Sequence, residues 1–187
     1  MGLEYEADTR VAQWLVETGA GGRLVLFGPK GFEAYARVRF IRDPQRPGER
    51  EADVTLARSH KSDLWQTQRV IARLTEFTTT DHGYFAVWDG YSDLPLPTYD
   101  GLFELPHRRY AIFKGPLNAI DDWVTDMGAQ HPPAFVWPTD RAWCFAADVD
   151  PHWAGVGAAR DAIRALTADE ELDAIEADPE QQQPHYG

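Results

Sequence analysis

The chain has 187 residues, 43% of them hydrophobic and 12% aromatic, and a formal net charge of −12. Such a chain can bury enough apolar surface to fold, which excludes wholesale disorder. No stretch approaches the roughly 18 apolar residues of a membrane span, and the opening MGLEYEADTR has neither the basic start nor the apolar run of a secretory signal.

These features predict a cytoplasmic protein with one globular domain over 1–177 and a flexible tail at 178–187. A single cysteine, Cys144, cannot form an internal disulfide, which agrees with a reducing compartment. Arginine outnumbers lysine 15 to 3 and asparagine occurs once, a bias of GC-rich coding. Charge is unevenly placed: residues 1–80 carry 12 cationic against 11 acidic side chains, residues 81–187 carry 6 against 19. An acidic second half disfavours nucleic acid and anionic membranes and favours cations or a basic protein; acidity for solubility alone is the plainer explanation.

In chain order, Asp8 or Thr9 can cap a helix over 10–17, with Val11, Trp14 and Leu15 on one face. The glycines around 19–22 stop it. The short apolar run 24–27, bounded by Gly28-Pro29, reads as a buried strand and turn. Over 32–41 the pattern alternates, with Ala34, Ala36, Val38 and Phe40 opposite Tyr35, Arg37, Arg39 and Ile41. Residues 43–53, with two prolines and a glycine, form a surface loop. Ser62 or Asp63 caps a helix to about 75, with Leu64, Ile71 and Leu74 inward.

Strands are predicted at 84–88, 102–105 and 109–114, with a loop over 89–101 and a short helix over 116–126. Two more, at 135–137 and 142–149, flank a Pro138-Thr139-Asp140 turn. A helix over 159–166 and an acidic helical turn through Leu172 and Ile175 complete the pattern. Connections this short cannot serve parallel crossovers, so the fold class is α+β, a largely antiparallel sheet with helices packed mainly on one face.

The stretch 136–157 gathers three of the seven tryptophans with the lone cysteine. On strand alternation Arg141, Trp143 and Phe145 share one face and Ala142, Cys144 and Ala146 the other. Tryptophan beside arginine suits a binding surface, and core packing is the commoner use of tryptophan. Asp140 and Arg141 can pair within the turn. In Asp148-Val149-Asp150-Pro151-His152, alternation points both carboxylates and the imidazole to one side, which permits a divalent cation or acid–base chemistry. The same run is an ordinary strand exit, and no His-x-x-x-His or Cys-x-x-Cys completes a metal motif.

Trp153-Ala154-Gly155-Val156-Gly157 ends in half of a phosphate-cradling turn, without the third glycine of a dinucleotide fingerprint. His107-Arg108-Arg109 is the one basic cluster of the acidic half; it can dock on acidic residues or bind an anion.

The runs Trp137-Pro138-Thr139-Asp140-Arg141-Ala142-Trp143-Cys144 and Asp148-Val149-Asp150-Pro151-His152-Trp153-Ala154-Gly155, with Leu105-Pro106-His107-Arg108-Arg109-Tyr110 before them, resemble a family of uncharacterised bacterial proteins from GC-rich genomes. The resemblance spans about residues 23–166 and implies no activity. A looser similarity, in size, aromatic content and acidity, is to toxin-immunity proteins of the SUKH type.

The resulting expectation is a non-catalytic acidic binding protein, an immunity-type neutraliser of a basic protein partner, with no cofactor. Its binding residues would be Trp137, Asp140, Arg141, Trp143, Asp148, Asp150, His152 and Trp153. Two alternatives stand beside it: a metal-assisted enzyme using Asp148, Asp150 and His152, and a small-molecule pocket lined by Trp88, Tyr91, Trp137 and Trp143.

Overall fold

The computed structural model describes residues 2–18, 21–91, 101–147 and 149–187. Among them, nine strands make one sheet: β1 (Glu4–Tyr5), β2 (Ala34–Arg39), β3 (His82–Trp88), β4 (Phe103–Leu105), β5 (Arg108–Pro116), β6 (Phe135–Pro138), β7 (Cys144–Ala146), β8 (Trp153–Ala158) and β9 (Ala174–Glu176). The order is β1-β5-β3-β6-β7-β8-β2-β9, β4 also pairs with β5, and every pairing is antiparallel. Five α-helices accompany it: α1 (Gln13–Glu17), α2 (Gly22–Phe27), α3 (Asp63–Leu74), α4 (Trp123–Met127) and α5 (Arg160–Thr167). The fold is α+β, and no helix among the described residues is long and apolar enough to cross a membrane.

The longer helices cover one face. Ser62 caps α3 by accepting from the Trp65 amide, and Leu64, Thr67, Val70, Ile71 and Leu74 turn inward at helical spacing. They meet Ile163 and Leu166 of α5 and Trp123 of α4 over Phe85, Val136, Trp143 and Phe145 of the sheet. On the opposite face the short helices bring Leu15 and Leu24 onto Phe135, Trp137, Cys144 and Ala146. Successive residues from Trp143 through β7 thus feed different cores, Trp143 and Phe145 one and Cys144 and Ala146 the other, as strand alternation requires.

Three elements differ from the sequence expectation. Residues 24–27 are helical: Leu24 and Phe27, three positions apart, are both buried, a spacing that a helix places on one face and a strand splits between two. Gly28, at φ 76°, ends that helix in a conformation costly for other residues. The Gly-x-Gly run is no phosphate turn but lies in β8, which is buried along its whole length. The expected helical turn through Ile175 is β9, paired with β2.

Gly155 explains why β8 carries no side chain at its centre. A Cβ there would stand 2.0 Å from the Leu26 carbonyl oxygen and 2.8 Å from the Phe27 Cα, so α2 rests its backbone directly on β8. Gly155→Ala should therefore cost about 3 kcal/mol in urea unfolding. Gly22→Ala, where nothing among the described residues lies within 4 Å, should be neutral or slightly stabilising. Equal midpoints for Gly155→Ala and wild type would rule out that contact.

Candidate functional site

The polar face of β2 sets up the site. Ala36 and Val38 turn into the core, so Tyr35, Arg37 and Arg39 face the other way. Arg37 is only 4% exposed, which demands a counter-charge. Asp43, four residues beyond the strand, supplies it, accepting from Arg37 Nη1 and Nη2 at 2.7 and 3.0 Å and from Arg39 Nη1 at 3.2 Å. His152 completes the cluster with Nε2 at 3.0 Å from Asp43 Oδ1.

Burial alone would raise the Asp43 carboxyl, but hydrogen bonds from Arg37, His152 and Arg39 outweigh it and hold the group far below its ordinary value. An ionised carboxylate only accepts, so His152 Nε2 carries the hydrogen of this contact, and in the neutral imidazole Nδ1 is the acceptor. The His152 carbonyl accepts from the Phe40 and Ile41 amides at 3.0 and 3.3 Å, which fixes the segment from which the ring projects.

Aromatic rings extend outward from this polar floor. The Arg37 guanidinium lies 5.3 Å over the Trp153 ring, and Trp153 is tilted against Phe27 with centroids 5.0 Å apart. The C-terminal segment folds back as the facing wall. Tyr186 meets His152 edge-on at 4.8 Å, its hydroxyl donates to the Arg42 carbonyl at 2.6 Å, and the Gly187 amide donates to the Glu49 carbonyl at 2.9 Å. Residues 178–187 hold no strand or helix, yet they form one side of a cleft of about 520 Å³ whose other side is Leu26, Phe27, His152 and Trp153. Glu49, which receives Arg42 and the Gln45 amide, is pulled down to about 2 by those hydrogen bonds. Behind His152 lies a second, smaller cavity of about 120 Å³, with Glu51, Asp63, Asp150 and His131 on its walls.

The residues expected to bind are divided among different roles. Trp137 and Trp143 are both fully buried, in opposite cores. Trp88, Tyr91, Trp137 and Trp143 therefore do not line one pocket; Trp88 and Tyr91 meet each other at 5.2 Å, whereas Trp137 stacks on Tyr84. Asp140 staples its turn to the neighbouring loop, accepting from the Thr78 and Thr79 hydroxyls and from the Thr79 and Ala142 amides. Arg141 precedes the strand at φ 58°, so alternation does not reach it, and its guanidinium lies over Trp14 rather than beside Trp143.

Asp148 lies outside the described residues. Asp150, 82% exposed, pairs with Arg108 at 3.1 Å, while the His152 imidazole turns to Asp43, so these two side chains are committed to different partners. Among the described residues no group of three or more His, Cys, Asp or Glu side chains is placed to hold a metal ion. Cys144 is buried and its thiol pushed far up by burial, which leaves it no nucleophilic character. Among the described residues of the expected set, Asp150, His152 and Trp153 reach the cleft. Phe27, Asp43 and Tyr186 were not anticipated, and only the alternation of Arg37 and Arg39 with apolar neighbours hinted at a charged group beneath.

Four acidic residues of the second half are stitched to the first. Arg69 and Arg73 hold Asp169, Arg69 also holds Glu171, Arg39 holds Asp173, and Arg23 and Lys30 hold Glu180. No protein-family model matches this chain, and no curated protein or solved structure does either.

Asp43→Asn should destabilise the fold by about 3 kcal/mol at neutral pH, because it leaves Arg37 buried without its counter-ion. The acid limb should change as well. A carboxyl depressed by folding contributes stability that is fully present above its unfolded value, about 4, and is lost as the pH falls from there toward its folded value. Glu49 acts in the same sense, between 4.5 and about 2. Urea midpoints measured from pH 7 to pH 2 should fall steeply below about pH 4. The fall should be shallower in Asp43→Asn, and parallel curves would refute the assignment.

Proposed function

We propose that the protein binds a small aromatic ligand in the cleft between Phe27, His152 and Trp153 on one side and the folded-back segment ending in Tyr186 on the other. The observation that carries this reading is the composition of that cleft. Apolar rings surround one buried imidazole whose orientation is fixed from below by Asp43, and the volume of about 520 Å³ lies in the range of small-molecule sites. The charge cluster contributes rigidity: with Arg37 both paired to Asp43 and lying over Trp153, the floor is set before any ligand arrives.

The expectation of a basic protein partner retains the net charge of −12 as its support. The ion pairs from Arg23, Lys30, Arg39, Arg69 and Arg73 take Asp169, Asp173 and Glu180 out of a free acidic face, while the cleft gathers rings about one imidazole, and on that ground the cleft is the stronger reading. The metal-assisted reading is weakened in the same way by the separate engagements of Asp150 and His152.

Saturation-transfer NMR with a panel of one- and two-ring aromatic compounds tests the proposal. Binders should appear among them, and Trp153→Ala should weaken each by about tenfold through loss of ring contact. A panel without binders, or binding indifferent to Trp153→Ala, would refute it.

A further inference from the structure

The wall of the cleft formed by residues 178–187 is held in place by few contacts. None of these residues is buried. Up to Gln183 the hydrogen bonds of the stretch, among the described residues, are made within it. The Glu180 amide and the Gln181 side chain donate to the Asp178 carboxylate, the Gln181 amide to the Asp178 carbonyl, and the Gln183 side chain to the Asp178 and Gln181 carbonyls.

Attachment to the rest of the protein is concentrated at two places. Near one end Glu180 pairs with Arg23 at 3.3 Å and with Lys30 at 3.2 Å. At the other the Tyr186 ring meets His152, its hydroxyl donates to the Arg42 carbonyl, and the Gly187 amide donates to the Glu49 carbonyl. Between these ends Gln182, Gln183, Pro184 and His185 line both the cleft and a second hollow of about 580 Å³, which the loop from Pro44 to Gly48 walls on its far side. The stretch therefore stands between two cavities, and a segment that buries so little opens at a free energy well below that of the whole fold.

Resting on the reading of the cleft as a ligand site, we infer that residues 178–187 are a strap over it, latched by Tyr186. The Tyr186 end lifts from His152 and Arg42 while the Glu180 end serves as the pivot. Lifting joins the two hollows and uncovers the His152 ring; closing returns the Tyr186 ring as a wall against the bound ligand. The Ala177 amide, bonded to the Tyr35 carbonyl beyond β9, marks where the fixed sheet ends.

Amide exchange followed by NMR reads the opening in the free protein. Tyr186→Phe, which keeps the ring and removes the hydroxyl bond, should speed exchange of the Gly187 amide by about fivefold, the weight of one net hydrogen bond. The amides of Gln181, on the pivot side, of Ala177 and of β3 should keep their wild-type rates. Saturating indole, used as the probe, should slow Gly187 exchange in the wild type by at least about fivefold, because binding favours the closed form.

Gly187 exchange that ignores Tyr186→Phe would overturn the strap, and so would an acceleration shared by Ala177 and β3, since the whole fold would then have loosened. Bound indole that leaves Gly187 exchange unchanged would overturn closure over the ligand. Absence of indole binding would count against the cleft as an aromatic site and not against the opening, which the free protein decides.

Discussion

A single carboxylate, that of Asp43, reconciles a buried arginine with an apolar surrounding. Arg37 lies in a strand between β8 and β9, where a cation without a partner would cost several kcal/mol. Asp43 meets that demand and, having lone pairs to spare, also takes Arg39 and His152. Through His152 the cluster reaches the start of β8, and through Tyr186 against that imidazole it reaches the C-terminal segment. Three regions, the second and third more than a hundred residues beyond the first, are thus organised by one group, and the cleft lies where they meet.

The glycines of β8 impose a complementary constraint. Because Gly155 presents no side chain, α2 can lie directly on the strand, and Phe27 at its end comes to rest against Trp153. Bulk that would ordinarily be supplied by β8 itself is supplied by a neighbouring helix. The aromatic side of the cleft is therefore a product of close backbone approach and is not written into any single run of aromatic residues.

Much of the scaffold was legible from local pattern. The alternation over β2, the Ser62 cap of α3 and the aromatic run of β3 each carry their structure in adjacent residues. Other parts depend on partners remote in sequence. Residues 24–27 are too few for periodicity to separate helix from strand, and Gly155 and Gly157 read as turn residues until the overlying helix is known. Ile175 is a strand residue only because β2 offers it an edge. The candidate site was half visible. Asp150, His152 and Trp153 are adjacent and chemically conspicuous, whereas Asp43 sits in a loop of prolines and charges, 109 positions from the imidazole it orients. Tyr186 belongs to a stretch without apolar pattern, docked by its ring and hydroxyl, by the Gly187 amide and by the ion pairs of Glu180.

The position of β2 bears on how the chain reaches its fold. This strand is made early in the sequence, yet both its neighbours, β8 and β9, come more than a hundred residues later. Its pairing is therefore among the most non-local in the protein, of the kind that closes late and slowly. Until then it is an unpaired strand with an apolar face and two open edges, a form prone to associate with other chains. Arg37 and Arg39 oppose this by placing like charges along the uncaptured strand, and they cease to repel once Asp43 and Asp173 neutralise them in the finished sheet. Like charges along an uncaptured strand are of the kind that keeps it from pairing with other chains, and in the finished sheet both arginines are neutralised.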